Sequence, residues 1–259
     1  MRIIAVIPAR YNSTRLPGKP LISIEGKPMI QWVWEQAKKT KIFNKIIIAT
    51  DDIRILNKCK EFKAECVLTS PRHKSGTDRI AEVIKREKCE IVVNIQGDEP
   101  LISPFTIKKV IEFLTRNKKI PMATAVTSIK YISELKNPNI VKVVMDRYHC
   151  ALYFSRLPIP YIRDVGEITD SDVLNKYPYY RHIGIYGYRR NFLLKFVNLK
   201  KGKLEDIEKL EQLRVLENGF KMGVVIIKED ISHPVDTKED VRKVVEIIKR
   251  HKLGSSYKS

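Results

Sequence analysis

The sequence contains few residues of the kinds that mark disulfide-bonded, fibrous or membrane-spanning proteins. Only 4 of its 259 residues are cysteines, and these form no CxxC pair and fit no zinc-binding spacing. Gly (11) and Pro (13) are too scarce for a fibrous or low-complexity chain. There is no apolar run of about eighteen residues, and the short apolar run at the N-terminus lacks a signal-peptide cleavage site. We therefore expect a cytoplasmic globular protein with reduced thiols.

Acidic residues are outnumbered by basic ones, 30 to 49, which gives a formal net charge of +19. Such an excess attracts polyanions, including nucleic acids, anionic lipid surfaces and nucleotides. The cations are spread along the chain and interleaved with acids, whereas a nucleic-acid-binding surface usually produces clusters. We expect neither nucleic acid nor a membrane as a partner, and the excess would speed capture of a triphosphate. A basic nucleic-acid-binding protein without catalysis is the alternative of another class.

Short β-branched runs alternate with amphipathic stretches in the first half of the chain. The runs are Ile3–Ile7, Ile46–Ala49 and Ile91–Ile95, and the amphipathic stretches are Met29–Lys39, Ile53–Phe62 and Asp78–Lys85. Continuous apolar runs of this length are typical of strands that helices cover on both faces. The alternation predicts an α/β fold with a doubly wound, mostly parallel sheet.

The pattern changes near residue 120, where loops begin to separate the strand-like segments. This change indicates a small lobe with a mixed sheet. Helices are predicted over Leu204–Asn218, with Gly219 as the stop signal, and over Lys238–Lys249. We predict a single domain over residues 1–252, with halves 1–120 and 121–252, and a flexible tail over 253–259.

The loop after the first strand, residues 8–20, contains three cations, Arg10, Arg15 and Lys19, with two hydroxyls and a glycine. Open α/β sheets bind ligands at the carboxyl ends of their strands. A triphosphate needs fixed positive charge and backbone N–H groups that it can approach closely. Pro20 stands where a Walker A loop has Ser or Thr, and the loop lacks the GxGxxG of dinucleotide-binding proteins. An ordinary basic surface loop is the alternative.

Two aspartates occupy positions suited to binding a divalent cation. Asp98 follows the buried run Ile91–Ile95, and Asp236 ends a loop just before the last predicted helix. Mg²⁺ prefers hard oxygen ligands and is usually shared with substrate phosphates. Taken singly, Asp98 also fits a turn and Asp236 a helix N-cap. Their separation along the chain does not show whether they meet.

Polar residues also occur on the apolar faces of two predicted elements. Glu211 and Arg214 lie three residues apart on the apolar stripe of the helix Leu204–Asn218. Because charges are seldom buried unpaired, these two either pair with each other or line a polar pocket. His182 and Tyr186 share one face of a strand-like segment. That face suits hydroxyl binding, although a lone His on a strand is more often structural.

Taken together, these stretches resemble the CMP-Kdo synthetase family, the 3-deoxy-manno-octulosonate cytidylyltransferases. The resemblance runs from about Arg2 to about Arg250. The segments that carry it are IPARYNSTRLPGKPL, SGTDRIAEV, VNIQGDEPLI, ALYFSR, RHIGIYGYRR, LEDIEKLEQLRVLENG and VDTKEDV. It implies a fold of the nucleotide-diphospho-sugar transferase type, with a small mixed-sheet lobe for sugar binding and dimerisation. The implied reaction joins CTP and 3-deoxy-manno-octulosonate (Kdo) into CMP-Kdo with release of pyrophosphate, in bacterial lipopolysaccharide assembly.

The resemblance also implies a role for each site residue, with Mg²⁺ as the cofactor. The implied nucleotide-binding residues are Pro8, Ala9, Arg10, Ser13, Arg15, Lys19, Ser75, Arg79 and Gln96. The implied sugar-binding residues are Gln96, His182, Tyr186, Glu211 and Gln212. Asp98 and Asp236 would bind Mg²⁺, and with Arg10 and Lys19 they would form the catalytic set.

The resemblance implies a homodimer as well, because the family dimerises through the segment that matches Ala151–Arg156. The chain departs from the family at two places, of which the first concerns the approach to Asp236 and the second the identity of the sugar. Pro234 stands where the family usually has glycine, and proline fixes φ. The stretch Tyr161–Tyr180 matches the family poorly. An 8-amino analogue of Kdo, or a sialic-type acid as used by sister cytidylyltransferases, is the alternative substrate.

Overall fold

The computed structural model describes residues 1–12 and 16–256, with side chains up to residue 250. The chain forms two compact units, one comprising Met1–Lys108 and Ile231–Ser259 and the other Lys109–Asp230. The second unit is therefore an insertion in the first. The sequence-based division into halves at residue 120 within one domain of residues 1–252 stays a prediction.

Parallel strands lie side by side in the first unit, in the order β6, β1, β4, β5. They are β1 (Ile3–Ala9), β4 (Lys45–Thr50), β5 (Glu65–Leu68) and β6 (Ile91–Ile95), and a separate hairpin consists of β2 (Ser23–Ile24) and β3 (Lys27–Pro28). The inner strand β1 is buried along nearly its whole length, with Ile4, Val6 and Ile7 at 0% exposure. The apolar runs predicted to be strands covered on both faces are all present.

The helices of the first unit follow the predicted alternation with strands. They are α1 (Met29–Lys39), α2 (Ile53–Glu61), α3 (Gly76–Lys85) and α10 (Lys238–Ser256), while α4 (Pro104–Arg116) leads into the second unit. Ser75 caps α3 by accepting the N–H of Asp78, and Asp78 accepts the N–H of Ser75 in return. Helix α10 continues past its predicted end at Lys249 to Ser256, and no proline follows Lys249 to stop it.

The second unit contains the mixed sheet that the sequence predicts. Strand β10 (Tyr180–Arg189) pairs antiparallel with β7 (Met122–Ser128) and with β8 (Lys142–Met145). Strand β11 (Met222–Ile227) pairs parallel with β7, and β9 (Ala151–Ser155) pairs antiparallel with β8. Short helices surround them, namely α5 (Ile132–Lys136), α6 (Asp172–Lys176), α7 (Arg190–Phe196), α8 (Lys203–Glu208) and α9 (Leu213–Glu217).

The prediction of one continuous helix over Leu204–Asn218 was wrong. The segment forms α8 and α9, and Lys209 between them has a left-handed conformation (φ 55°). Glu205 and Arg214 explain the break, because they form a buried two-pronged ion pair of 2.6 and 2.7 Å. Residues nine apart lie on opposite faces of a continuous helix, so this pair can form only if the helix is interrupted.

Within the described part of the chain, no helix is both long enough and apolar enough to cross a bilayer.

Candidate active site

The two aspartates singled out in the sequence meet at one lysine. Lys19 Nζ lies 2.7 Å from Asp98 Oδ2 and 3.0 Å from Asp236 Oδ1. All three residues belong to the first unit, and only 15% of the lysine side chain is exposed. Burial lowers the pKa of Lys19, but the charges and hydrogen bonds of both carboxylates outweigh burial and raise it. Lys19 is therefore a fixed positive charge.

Asp98 is positioned by a tight turn at the end of β6. A Cβ added to Gly97 would lie only 2.5 Å from the carbonyl oxygen of Pro8, so only glycine allows this turn to approach β1 so closely. The Val235 N–H donates to the Asp98 carbonyl oxygen at 2.9 Å. Val235 itself is fully buried. This backbone bond brings Asp236, the next residue, to the Asp98 turn.

Thr237 and Asp240 form hydrogen bonds at the start of the last helix. Thr237 Oγ1 accepts the N–H of Asp240 at 3.2 Å, and Asp240 Oδ2 accepts the N–H groups of Asp236 and Thr237 at 3.1 and 2.9 Å. These bonds form a capping arrangement centred on Thr237. They leave the Asp236 carboxylate directed at Lys19. Pro234 precedes this segment without preventing the approach of Asp236 to Asp98.

Tyr11, in the basic loop of residues 8–20, contacts Gly18 and Arg54. The Gly18 N–H donates to the Tyr11 carbonyl oxygen at 3.0 Å, and Gly18 has a positive φ of 67°. The Arg54 guanidinium carbon lies 3.3 Å from the centre of the Tyr11 ring. These contacts hold Lys19 at the start of a short 3₁₀ turn. The predicted site residues Ser13 and Arg15 lie outside the described residues.

A cavity of about 420 Å³ opens beside the Lys19 contact. Its lining includes seven of the predicted site residues, namely Pro8, Ala9, Arg10, Lys19, Gln96, Asp98 and Asp236. Gly76, next to the predicted Ser75, also lines it. Arg10 is oriented through its Nη2, which donates to the His73 carbonyl oxygen at 2.8 Å. The segments after β1 and β6 and the segment before α10 therefore supply cations, carboxylates and an amide to one space.

Arg79 occupies a different position from its neighbours in the predicted set. Its side chain is fully buried, with Nη2 2.6 Å from Asp51 Oδ2 and Nη1 bonded to Thr69 Oγ1. Burial lowers the pKa of this guanidinium despite the charge of Asp51. Arg79 therefore stabilises the segment around Thr69 through these buried contacts.

Apart from Gln96, which belongs to the first unit, the predicted sugar-binding residues lie in the second unit. His182 and Tyr186 place their ring centres 5.3 Å apart there. Thr124 Oγ1 donates to the Ile185 carbonyl oxygen at 2.7 Å and contacts His182 Nε2 at 2.8 Å. Because the Thr124 hydroxyl uses its proton in the bond to Ile185, its oxygen can only accept a hydrogen bond from His182. His182 Nε2 therefore carries the ring proton and donates to Thr124 Oγ1. Burial, with a smaller effect from Arg181, lowers the pKa of His182 to about 3. His182 is therefore neutral.

Glu211 and Gln212 lie in the same unit as these rings. Burial and, second, the charge of Glu211 raise the pKa of Tyr186, which keeps that phenol protonated. Gln212 is buried at 5% exposure. Arg214 contacts Glu211 Oε1 at 3.6 Å, but its main partner is Glu205. Neither interpretation of the Glu211–Arg214 pair anticipated Glu205, because the sequence pattern predicted an unbroken helix.

Sequence reasoning also missed the residues that orient Arg10. His73 Nε2 lies 2.5 Å from Glu82 Oε2, which also accepts the Ser70 N–H at 2.9 Å. No periodicity or motif connects Glu82 on α3 with a loop before that helix. Thr124, the partner of His182, likewise gave no signal in the sequence.

The chain is similar to known cytidylyltransferases. A family model described as cytidylyltransferase matches residues 4–231. A curated 3-deoxy-manno-octulosonate cytidylyltransferase of Aliivibrio fischeri is 50% identical, covering 96% of this chain and 100% of its own. One of the same name from Geobacter metallireducens is 47% identical, covering 98% of this chain and 100% of its own. The chain belongs to the 3-deoxy-manno-octulosonate cytidylyltransferase family.

Solved structures of other proteins share the fold of this cytidylyltransferase. The structure of a CMP:2-keto-3-deoxy-manno-octonic acid synthetase complexed with CTP matches with a TM-score of 0.89 and 37% identity, covering 97% of this chain and 100% of that chain. A 4-diphosphocytidyl-2C-methyl-D-erythritol synthase from Anaerococcus prevotii matches with a TM-score of 0.61 at 14% identity, covering 96% of this chain and 98% of that chain. The second match shows a shared fold alone. The mostly parallel fold predicted from the sequence is confirmed.

Proposed function

We propose that this cytidylyltransferase transfers the CMP part of CTP to Kdo and releases pyrophosphate. The observation that carries the proposal is the convergence of Arg10, Lys19, Asp98 and Asp236 on one cavity. The names of the relatives and the CTP complex of the similar synthetase support this pair of substrates. A cytoplasmic location and a part in lipopolysaccharide assembly belong to the same proposal.

Mg²⁺ is the cofactor we propose, and the residues present fit it. Asp98 and Asp236 offer hard carboxylate oxygens that already converge on one cation, the Lys19 ammonium. Among the described residues, no three His, Cys, Asp or Glu side chains group as a metal cage. Two carboxylates suit Mg²⁺, which usually keeps several waters and shares substrate phosphates. When bound, Mg²⁺ would neutralise developing charge on the phosphates and polarise the attacked phosphoryl group.

The protein's own residues bind and orient the reactants. Arg10 and Lys19 would hold the triphosphate, and the His73 carbonyl keeps the Arg10 guanidinium in place. The anomeric hydroxyl of the sugar then attacks the α-phosphorus in line. A sugar oxygen–phosphorus bond forms, the bond from the α-phosphorus to the bridging oxygen breaks, pyrophosphate leaves and the hydroxyl proton passes to solvent. Positioning and electrostatics carry most of the rate enhancement, so no covalent enzyme intermediate is needed.

His182 contributes to sugar binding as a neutral ring. Because Nε2 donates to Thr124, Nδ1 is left as the acceptor for a sugar hydroxyl. The pKa of about 3 means that the ring stays neutral at physiological pH. Tyr186 beside it presents a protonated phenol that donates. The pair therefore recognises hydroxyls rather than charge.

A pyrophosphate-release assay over a matrix of nucleotides and acidic sugars tests the proposal. CTP, UTP and ATP are each combined with Kdo, its 8-amino analogue and N-acetylneuraminate. We expect the highest kcat/KM for CTP with Kdo. A higher value with N-acetylneuraminate would assign the chain to the sialic-type reaction, and one with the 8-amino sugar would assign it to that analogue.

We also propose that the chain forms a homodimer through the segment Ala151–Arg156. Large apolar side chains are exposed in and beside this segment, including Leu152 at 60% and Leu157 at 70%. Ile207, on α8 of the same unit, is 76% exposed. Removal of such side chains from water favours association. The homodimer would therefore cover surface that is apolar in the single chain.

A further inference from the structure

The Lys19 ammonium occupies the place between the two carboxylates that a divalent cation would need. Its distances of 2.7 and 3.0 Å are those of direct, charge-assisted hydrogen bonds to both acids. A metal ion bound by the same two carboxylates would lie within a few ångströms of this ammonium. Two cations so close repel each other strongly in a partly buried site. Lys19 and the metal therefore compete for one position.

The lysine has another acceptor available once a nucleotide enters. Lys19 lines the same cavity as Arg10, whose guanidinium is held in place by the His73 carbonyl. A triphosphate in that cavity offers anionic oxygens to both cations. If Lys19 bonds to a phosphate, Asp98 and Asp236 lose their shared counter-ion, and their negative charge becomes available to the metal.

We propose that Lys19 is an internal counter-ion that opposes divalent-metal binding at Asp98 and Asp236 until a triphosphate accepts its ammonium. This inference rests on the proposed metal role of the two aspartates. Its consequence is ordered loading, in which metal and nucleotide each favour the binding of the other, because such coupling is reciprocal. The metal-free enzyme is thereby kept from filling its catalytic carboxylates with adventitious cations.

Mn²⁺ binding without nucleotide tests the proposal directly, with electron paramagnetic resonance reporting free Mn²⁺ in titrations of the full chain. The variant Lys19→Met removes the charge while keeping much of the side-chain volume. We expect it to bind one Mn²⁺ per chain at least about tenfold more tightly than the wild type, as loss of a close like charge predicts. Lys19→Arg, which retains the charge, should bind Mn²⁺ as weakly as the wild type.

Two control variants test whether any gain in Mn²⁺ affinity arises at Asp98 and Asp236. Lys27→Met removes a lysine of the same unit that pairs with Glu35 instead, and it should not change Mn²⁺ affinity. Asp98→Asn placed in the Lys19→Met background should abolish the gain. Lys19→Gln serves if the Met variant fails to fold, as judged by circular dichroism.

Thermal unfolding supplies a second readout that does not depend on turnover. In EDTA, Lys19→Met removes the positive charge that Asp98 and Asp236 both contact, so its Tm should fall below that of the wild type. Mn²⁺ should raise the Tm of this variant more than it raises the wild-type value. Equal, Asp98-dependent Mn²⁺ affinity in wild type and Lys19→Met would overturn the inference while leaving the metal site intact. Absence of Asp98-dependent binding in every variant would overturn both the metal site and the inference.

Discussion

At the scale of single residues, the candidate site depends on side chains that hold others in place. Arg10 lines the cavity, and its guanidinium bonds to the carbonyl of His73. His73 is in turn bonded to Glu82, whose carboxylate also accepts the Ser70 N–H. The Ser70 N–H is the main cause of the lowered pKa of Glu82, with the His73 bond contributing in the same direction against the opposing effect of burial. Glu82 therefore acts as a positioning residue for Arg10.

Replacing Glu82 tests this chain of contacts. Glu82→Gln weakens the charge-assisted bonds to Ser70 and His73, so Arg10 loses its fixed orientation. The loss of about 1 kcal/mol of binding free energy, the usual contribution of one hydrogen bond, should raise the KM for CTP about fivefold. The KM for the sugar should stay unchanged. Steady-state kinetics with each substrate varied in turn measure both values.

Glu61→Gln is the matched control, because Glu61 pairs with Lys58 on an exposed face of α2. It should leave both KM values as they are. A purely structural role of Glu82 would lower Tm and kcat without a selective change in the KM for CTP.

At the scale of elements, the first turn of α10 positions Asp236. Asp240 accepts hydrogen bonds from the N–H groups of Asp236 and Thr237 and contacts His233. Burial raises the pKa of Asp240, but the hydrogen bond from the Thr237 hydroxyl, together with those just named, outweighs burial and lowers it. A carboxyl whose pKa is lower in the folded state stabilises the fold above its unfolded pKa, and that stability is lost as the pH falls through the folded pKa.

Asp240→Asn should therefore destabilise the protein at neutral pH by about 1 kcal/mol, the usual cost of a lost helix cap. The difference from the wild type should begin to shrink below about pH 4, where Asp240 of the unfolded chain takes up a proton, and should shrink further as the pH falls toward the lower folded pKa. Urea unfolding at pH 7 and pH 3.5 measures it. Glu239→Gln changes the neighbouring, exposed carboxylate and should have little effect. An equal loss for Asp240→Asn at both pH values would contradict this account.

The same scale shows what the sequence could predict. The strands at 3–7, 46–49 and 91–95 were predictable, because their neighbours cover them on both faces and every position except Asn94 is apolar. The break between α8 and α9 was not, because it depends on the Glu205–Arg214 pair, which no helical period reveals. The meeting of Asp98 and Asp236 was also beyond spacing arguments, since it follows from the Val235–Asp98 backbone bond. The local sequence pattern therefore predicts individual strands and helices, whereas long-range hydrogen bonds determine which residues meet in the site.

At the scale of the whole molecule, the exposed apolar side chains in and beside Ala151–Arg156 support the proposed homodimer. Leu152→Asp places a charge in the exposed apolar segment, and burying an unpaired charge is costly. We expect it to convert the dimer to a monomer in sedimentation-equilibrium experiments, with the far-ultraviolet circular dichroism spectrum unchanged. Leu68→Asp, at a half-exposed position in the first unit, is the control and should leave the dimer intact. A wild-type chain that sediments as a monomer at micromolar concentration would contradict the proposal.

The central claim concerns the Asp98 carboxylate, and the most direct test is the kcat of Asp98→Asn at saturating CTP, Kdo and Mg²⁺. Asparagine keeps the shape of the side chain and removes its charge, so the fold should persist. We predict that kcat falls at least about a hundredfold, as when one preorganised charge contact to the transition state is lost. The exposed control Asp164→Asn should retain wild-type kcat. A near-normal kcat for Asp98→Asn would contradict the account.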